Sequence, residues 1–177
     1  MMKWLAAVLL GAWAGAAAAY LLYLLYGLRL SVPFVPLPRR LVRRVVAELE
    51  LAAGDEVWDL GCGDGRVLAE CLRVAGVSAV GVEQNPSVWL LAKWRLGRRA
   101  RVVRGDLRQQ DLRRARRVVA FLGLDIMAEL EPKLERELPK GARLVAVQFA
   151  LPTRQPVRKV ELEGAPEYAR WLYVYEY

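Results

Sequence analysis

Seven consecutive residues, Asp59 to Gly65, constrain this chain more than any others. They read DLGCGDG and stand between a short apolar run, Glu56 to Leu60, and a run patterned as a helix from Arg66. Gly61, Gly63 and Gly65 form a GxGxG spacing. Glycines so placed let the chain turn sharply and bring its backbone against a bound molecule, where side chains would intrude. The helix that follows offers free N–H groups and a positive dipole end, suited to a carboxylate. A dinucleotide loop would prefer GxGxxG, but the third position is Arg66. Asp59 and Asp64 also put negative charge beside the loop. That disfavours a pyrophosphate and favours a cationic ligand, such as a sulfonium that carries an ammonium group.

The remainder predicts a Rossmann-like α/β fold. After a helix over 39–50, strands are expected at 56–60, 78–82, 101–104, 117–122 and 143–149. Helices are expected at 66–75, 86–96 and 126–138, with Asn85 as cap and Pro86 as first residue of the middle one. Strand–helix alternation implies a mostly parallel sheet with helices on both faces. Two last strands, near 156–162 and 170–176, have no helix between them and imply a C-terminal antiparallel hairpin, for seven strands in all.

Ligands of open parallel sheets sit at the carboxyl ends of the strands. Glu83 ends the second strand, 20 residues beyond Gly63, and is placed to accept hydrogen bonds from ribose hydroxyls. Asp106 follows the third strand and is the matching candidate for an adenine amino group. With the loop they point to S-adenosylmethionine as cofactor. The candidate cofactor residues are Asp59, Gly61, Cys62, Gly63, Asp64, Gly65, Glu83, Gln84, Asp106 and Leu107.

Composition narrows the chemistry further. The chain has no histidine, which removes His-based acid–base catalysis, Ser–His and Cys–His nucleophile pairs and most zinc sites; no metal site is expected. Two cysteines, one of them inside the glycine loop, make no disulfide framework. A net charge of +8 suits anionic lipid or nucleic acid, or simply an arginine-rich solvated surface.

From Trp4 to Leu28 run 25 residues without a charge. As a helix they would measure roughly 37 Å, enough to cross a ~30 Å hydrocarbon core with some tilt. A cleaved signal peptide is the rival, with Lys3 as its charged start and Ala16 to Ala19 as the cleavage region. The apolar run continues beyond those alanines, so one transmembrane anchor over 1–28 is expected. Pro33, Pro36 and Pro38 mark 29–38 as an extended linker to a catalytic domain over 39–177. Arg29, Arg39, Arg40, Arg43 and Arg44 outnumber Lys3, which puts the domain on the cytoplasmic side, or the matrix side in an organelle.

DLGCGDGRV at 59–67 resembles the first motif of the class I methyltransferases. VPFVPLP at 32–38, VVAFLGLDIMAELEPKLERELPKGARLVA at 118–146 and QFALP at 148–152 resemble a narrower family of small protein-lysine methyltransferases. That family includes archaeal enzymes of broad specificity and membrane-anchored mitochondrial ones acting on the ATP synthase c-subunit and the adenine nucleotide translocase. The resemblance covers about 29–177. Phe34 stands where the family usually has Tyr, Leu37 where it has Thr, and Arg154 where some members have Trp. The resemblance implies methyl transfer to lysine of a membrane-associated protein, through a channel whose walls here would be Phe34, Phe121, Phe149 and Trp171. No general base follows from it. An RNA methyltransferase is a rival, although the Asn/Asp-Pro-Pro-aromatic motif of adenine N6 enzymes is replaced by FLGLD at 121–125. A lipid or quinone methyltransferase and a non-catalytic cofactor-binding scaffold are the others.

Overall fold

A computed structural model describes the backbone of residues 2–28 and 34–177, with side chains throughout except at 2, 3, 5–7, 19 and 22–28. Two compact units result, divided between Pro33 and Phe34.

In the first unit, α1 spans Met2–Leu28. The transmembrane span expected over 1–28 is not found: among the described residues no helix is long and apolar enough to cross a membrane. The basic residue Arg29 and the first half of the linker, 29–33, lie outside the described residues.

In the second unit, α2 (Arg39–Glu48), β1 (Glu56–Leu60), α3 (Arg66–Cys71), β2 (Ser78–Glu83), α4 (Pro86–Leu96), β3 (Arg101–Arg104), β4 (Arg117–Ala120), α5 (Leu124–Glu137), β5 (Arg143–Val147), β6 (Arg158–Glu161) and β7 (Trp171–Glu176) follow in order. They build a seven-stranded sheet ordered β3-β2-β1-β4-β5-β7-β6. The first five strands pair in parallel, and β7 runs antiparallel to both β5 and β6. This is the expected Rossmann-like sheet with its terminal hairpin.

The central strands β1, β2, β4 and β5 are buried on both faces and read as largely apolar runs, whereas the edge strand β6, Arg158–Glu161, is mostly exposed and polar. Val57, Val119, Val145, Leu172 and Val174 join one core cluster with Leu41, Val42 and Val45 of α2, Leu68 of α3 and Ala92 and Leu96 of α4. Alternation along the strands sends Trp58, Leu60, Val118, Ala120, Leu144 and Ala146 to the opposite face, also buried. The buried stripe of α5, Ile126, Met127, Leu130 and Leu134, remains to cover that face.

Three of the elements that end earlier than the sequence predicts do so for a visible reason. β4 stops at Ala120, because Leu122 leaves the strand to pack over the glycine loop. β5 stops at Val147, because Gln148 takes a left-handed φ of 69° and its amide donates to the Trp171 carbonyl at 2.7 Å. α3 stops at Cys71: Arg73 and Val74 donate to carbonyls three residues back, the tighter pattern of a fraying helix end.

Candidate active site

The glycine loop leaves β1 at Gly61, turns through left-handed φ at Gly61 (82°), Gly63 (55°) and Gly65 (76°), and enters α3. A side chain at any of the three would also collide. A Cβ on Gly61 would lie 2.8 Å from Leu122, one on Gly63 2.6 Å from the Phe34 ring, and one on Gly65 2.8 Å from Leu96. The amides of Gly61 and Cys62 both donate to the Val82 carbonyl at 2.9 Å, which fastens the loop to the end of β2.

Glu83 completes that attachment. Its carboxylate accepts from the Gly63 amide at 3.0 Å and from the Asn85 amide at 2.8 Å. Its carbonyl accepts from the Gly105 amide at 3.1 Å, which brings the end of β3 alongside. A carboxylate has about four acceptor positions, so two remain on Glu83 for ligand hydroxyls. Asp106 caps the turn Leu107–Gln109 through the Arg108 amide, and the Arg108 guanidinium grips its carboxylate at 2.8 Å. Those hydrogen bonds from Arg108 hold Asp106 below the ordinary carboxylate range. Gln84 is exposed beside Glu83, and Leu107 is half-buried beside Asp106.

The three other candidates around the loop differ in kind. Asp59 is buried, and burial, together with the charges of Glu83 and then Asp64, pushes its carboxyl up to about 7. Asp64 is gripped instead by two guanidiniums, Arg66 and Arg95, each at 2.8 Å. Burial raises its pKa, but the Arg66 hydrogen bonds and the charges of Arg66 and Arg95 outweigh that and hold it low. Its charge therefore ties α3 to α4 instead of lying bare beside the loop. Cys62 is packed beneath the turn, and burial, with Asp59 next to it, pushes its thiol far above the usual range. A Cβ on Gly81 would meet its sulfur at 2.7 Å, so Gly81 makes room for it.

The aromatic candidates occupy the other half of the strand ends. Phe121 follows β4 and packs against the core cluster. Phe149 follows β5, and Trp171 opens β7, with Gln148 bonded to the Trp171 carbonyl between them. The Trp171 ring is already covered by the Lys159 ammonium, 4.0 Å from its centroid. Phe34 crosses to the cofactor half, its ring against Gly63.

Several positioning residues were not singled out from the sequence. Arg66 donates to the Leu37 carbonyl at 2.7 Å, clasping the segment after Phe34 to the start of α3. Glu131 is buried in α5 and accepts from the Thr153 amide and hydroxyl at 3.0 Å and from the Arg154 amide at 2.7 Å. The Tyr175 hydroxyl accepts from the Leu151 amide at 2.8 Å. Together these two hold the loop after Phe149. Glu131 lies within the 118–146 stretch and Thr153 directly follows QFALP, but nothing in the sequence pairs the two.

The residues fit S-adenosylmethionine. Three successive left-handed glycines clear the strand ends, Glu83 retains acceptor capacity, and the buried Asp59 carboxyl gains from a nearby cation. Glu83 would hold it against the glycine loop, with Asp106 at its far end.

Comparison with known proteins agrees. Residues 59–158 match the family model described as the ANTKMT methyltransferase domain. A protein-lysine N-methyltransferase of Saccharolobus islandicus (strain REY15A) is 35% identical over 150 residues, covering 81% of this chain and 93% of that protein. The adenine nucleotide translocase lysine N-methyltransferase of Mus musculus is 42% identical over 138 residues, covering 75% of this chain and 60% of that protein. This chain thus spans nearly all of the archaeal relative but under two thirds of the mouse one. Among solved structures, an RNA methyltransferase from Salinibacter ruber in complex with S-adenosyl-L-homocysteine superposes with a TM-score of 0.74 at 28% identity, covering 80% of this chain and 93% of that one.

Proposed function

The chain belongs to the ANTKMT methyltransferase-domain family and is an S-adenosylmethionine-dependent methyltransferase, and from that premise we propose that it methylates the side-chain amine of lysine in a protein held at a membrane surface. The observation that carries the reading is the division of the strand ends. β3, β2 and β1 present the loop, Glu83 and Asp106, whereas β4, β5 and β7 present Phe121, Phe149 and Trp171. The lysine methyltransferase relatives support the same substrate class.

S-adenosylmethionine supplies an electrophilic methyl group on its sulfonium. The protein's share is to hold an amine in line with that methyl, strip its water and let it lose a proton. Burial in an aromatic, water-poor channel disfavours the ammonium form, so the amine becomes neutral without a histidine. Phe34, Phe121 and Phe149 suit such walls, since aromatic faces accept both an alkyl stem and a cation.

The membrane part of the proposal rests on the uncharged run from Trp4 to Leu28 and the arginines from Arg29 to Arg44, which favour an anchor with the domain on the cytoplasmic or matrix side. Protease added outside sealed vesicles should spare the domain; its digestion would reverse that orientation, and loss of 1–28 from the mature protein would replace the anchor with a signal peptide.

RNA methylation is a second reading, favoured by the Salinibacter structure. Incubating the full chain with methyl-labelled cofactor and a membrane fraction separates the two. Label in methyl-lysine after protein hydrolysis is expected. Label confined to RNA or to extractable lipid overturns the lysine reading, and no label with intact cofactor binding makes the chain a scaffold.

A further inference from the structure

Helix α4 is apolar on two sides. Val88, Ala92 and Leu96 face the core. On the opposite side Leu90 is 61% exposed, Leu91 51% and Trp94 86%. These positions are three and four apart and form one outward stripe. An exposed run of large apolar side chains on a helix is not needed for the fold and marks a contact surface.

The charges around the stripe say what it contacts. From Pro86 to Gly105 there are six cations, Lys93, Arg95, Arg98, Arg99, Arg101 and Arg104, and no acid. Arg95 is turned inward to Asp64 at 2.8 Å, and Arg101 lies over the Trp58 ring at 5.7 Å. Lys93, Arg98 and Arg99 are exposed at the end of the helix beside Trp94. Leucines with a tryptophan, bordered by lysine and arginine, are the composition of a helix that lies in a lipid interface, its apolar side among the acyl chains and its cations at anionic headgroups. RNA would match the cations but has no use for two exposed leucines.

We propose that α4 is an interfacial docking face for anionic lipid, through Leu90, Leu91 and Trp94 with Lys93, Arg98 and Arg99 at the headgroups. This contact belongs to the catalytic domain itself and stands apart from any anchor at 1–28. It also bears on the site, because α4 is capped by Asn85, whose amide donates to Glu83. Lipid contact along α4 holds the rim of the cofactor site at the membrane surface.

The test uses the full chain with Ser87→Cys carrying a polarity-sensitive fluorophore. Ser87 is exposed one turn before the stripe and on its side. Cys62 and Cys71 are buried, with burial pushing the Cys71 thiol up to about 12, so neither competes for the label. On phosphatidylcholine vesicles with about a third phosphatidylglycerol, the emission should shift to the blue and quenching by brominated lipid should rise severalfold. The joint Leu90→Glu and Trp94→Glu variant, matched in melting temperature, should lose both signals, as should phosphatidylcholine alone. A vesicle-bound chain whose label stays open to a water-soluble quencher would overturn the docking face while leaving the anchor reading intact. Failure to bind vesicles at all, or the same blue shift produced without lipid by RNA or by raised protein concentration, would also overturn it.

Discussion

Replacing Glu83 by alanine should affect stability and cofactor binding separately. In the ligand-free protein its carboxylate holds the Gly63 and Asn85 amides. Hydrogen bonds to a charged group contribute ~1.5–3 kcal/mol each, and a buried amide left without a partner costs about 1–3 kcal/mol. Gly63 is buried, so its amide bears that cost, whereas Asn85 is half-buried and water replaces part of the loss. A destabilisation of about 2–4 kcal/mol follows, which lowers the melting temperature of a domain this size by roughly 5–15 °C. The protein should remain folded at low temperature. Titration calorimetry with S-adenosylhomocysteine should then show affinity reduced by more than about 100-fold, since two ribose hydrogen bonds to a carboxylate are lost and each 1.4 kcal/mol is tenfold. Glu83→Gln keeps the volume but turns an amino group toward one of the two amides, so it should fall between. A folded Glu83→Ala protein with unchanged affinity would remove Glu83 from the cofactor site and leave it only the role of pinning the loop.

Asp59 gives a pH signature. Its folded pKa, near 7, is raised above the unfolded value, so its contribution to stability is complete below about pH 4 and is lost as pH rises toward 7; melting of the ligand-free protein should fall over that window, and Asp59→Asn should flatten the slope. A cationic cofactor favours the ionised form, so its affinity should rise between about pH 6 and 8 in the wild type and not in Asp59→Asn, as calorimetry at several pH values would read. Gly63→Ala should lose about 2–3 kcal/mol, from its left-handed φ and the collision with Phe34, and adding Phe34→Ala should recover part of it in a double-mutant cycle of chemical denaturation. Glu131→Gln should lower kcat/KM for the proposed protein substrate several-fold while leaving cofactor affinity unchanged, because its carboxylate bonds Thr153 and Arg154 in the loop after Phe149, away from the glycine loop and Glu83.

The succession of strands and helices, the mostly parallel sheet with its terminal hairpin and the cofactor half were legible because local chemistry dictates them. The glycines of DLGCGDG, the Asn85–Pro86 helix start and the apolar centres of the inner strands each carry their own signal, and α4 and β3 fall where that signal puts them. What was not legible depends on contacts across the chain. Asp64 reads as free charge beside the loop until Arg95, 31 residues away, is seen on it. The left-handed turn at Gln148 has no glycine to announce it; the Trp171 carbonyl and the Arg170 amide, which donates to its side chain, enforce it. Strand ends at 120 and 147 were overrun for the same reason: apolar residues continue past the ladder, but they are spent on the site instead of the sheet.

The segment around Phe34 joins what the sheet keeps apart. Its ring lies on Gly63, at the backbone that turns toward the cofactor, and Arg66 fixes the Leu37 carbonyl three residues on. Arg66 is in turn bound to Asp64, and Asp64 to Arg95 of α4. A displacement of residues 34–37 therefore reaches the glycine loop by packing and the α3–α4 pair by charge. Gly63 also carries the amide that Glu83 accepts, so the loop cannot shift without disturbing the carboxylate proposed to hold the ribose. The proposed substrate wall and the proposed cofactor site are thus one packing unit, in which ordering one orders the other. Occupancy of the cofactor site should consequently tighten binding of a lysine peptide, and by thermodynamic reciprocity the peptide should tighten cofactor binding by the same factor. Phe34→Ala, which removes the ring from Gly63, should reduce that mutual factor toward one, even where each ligand still binds alone.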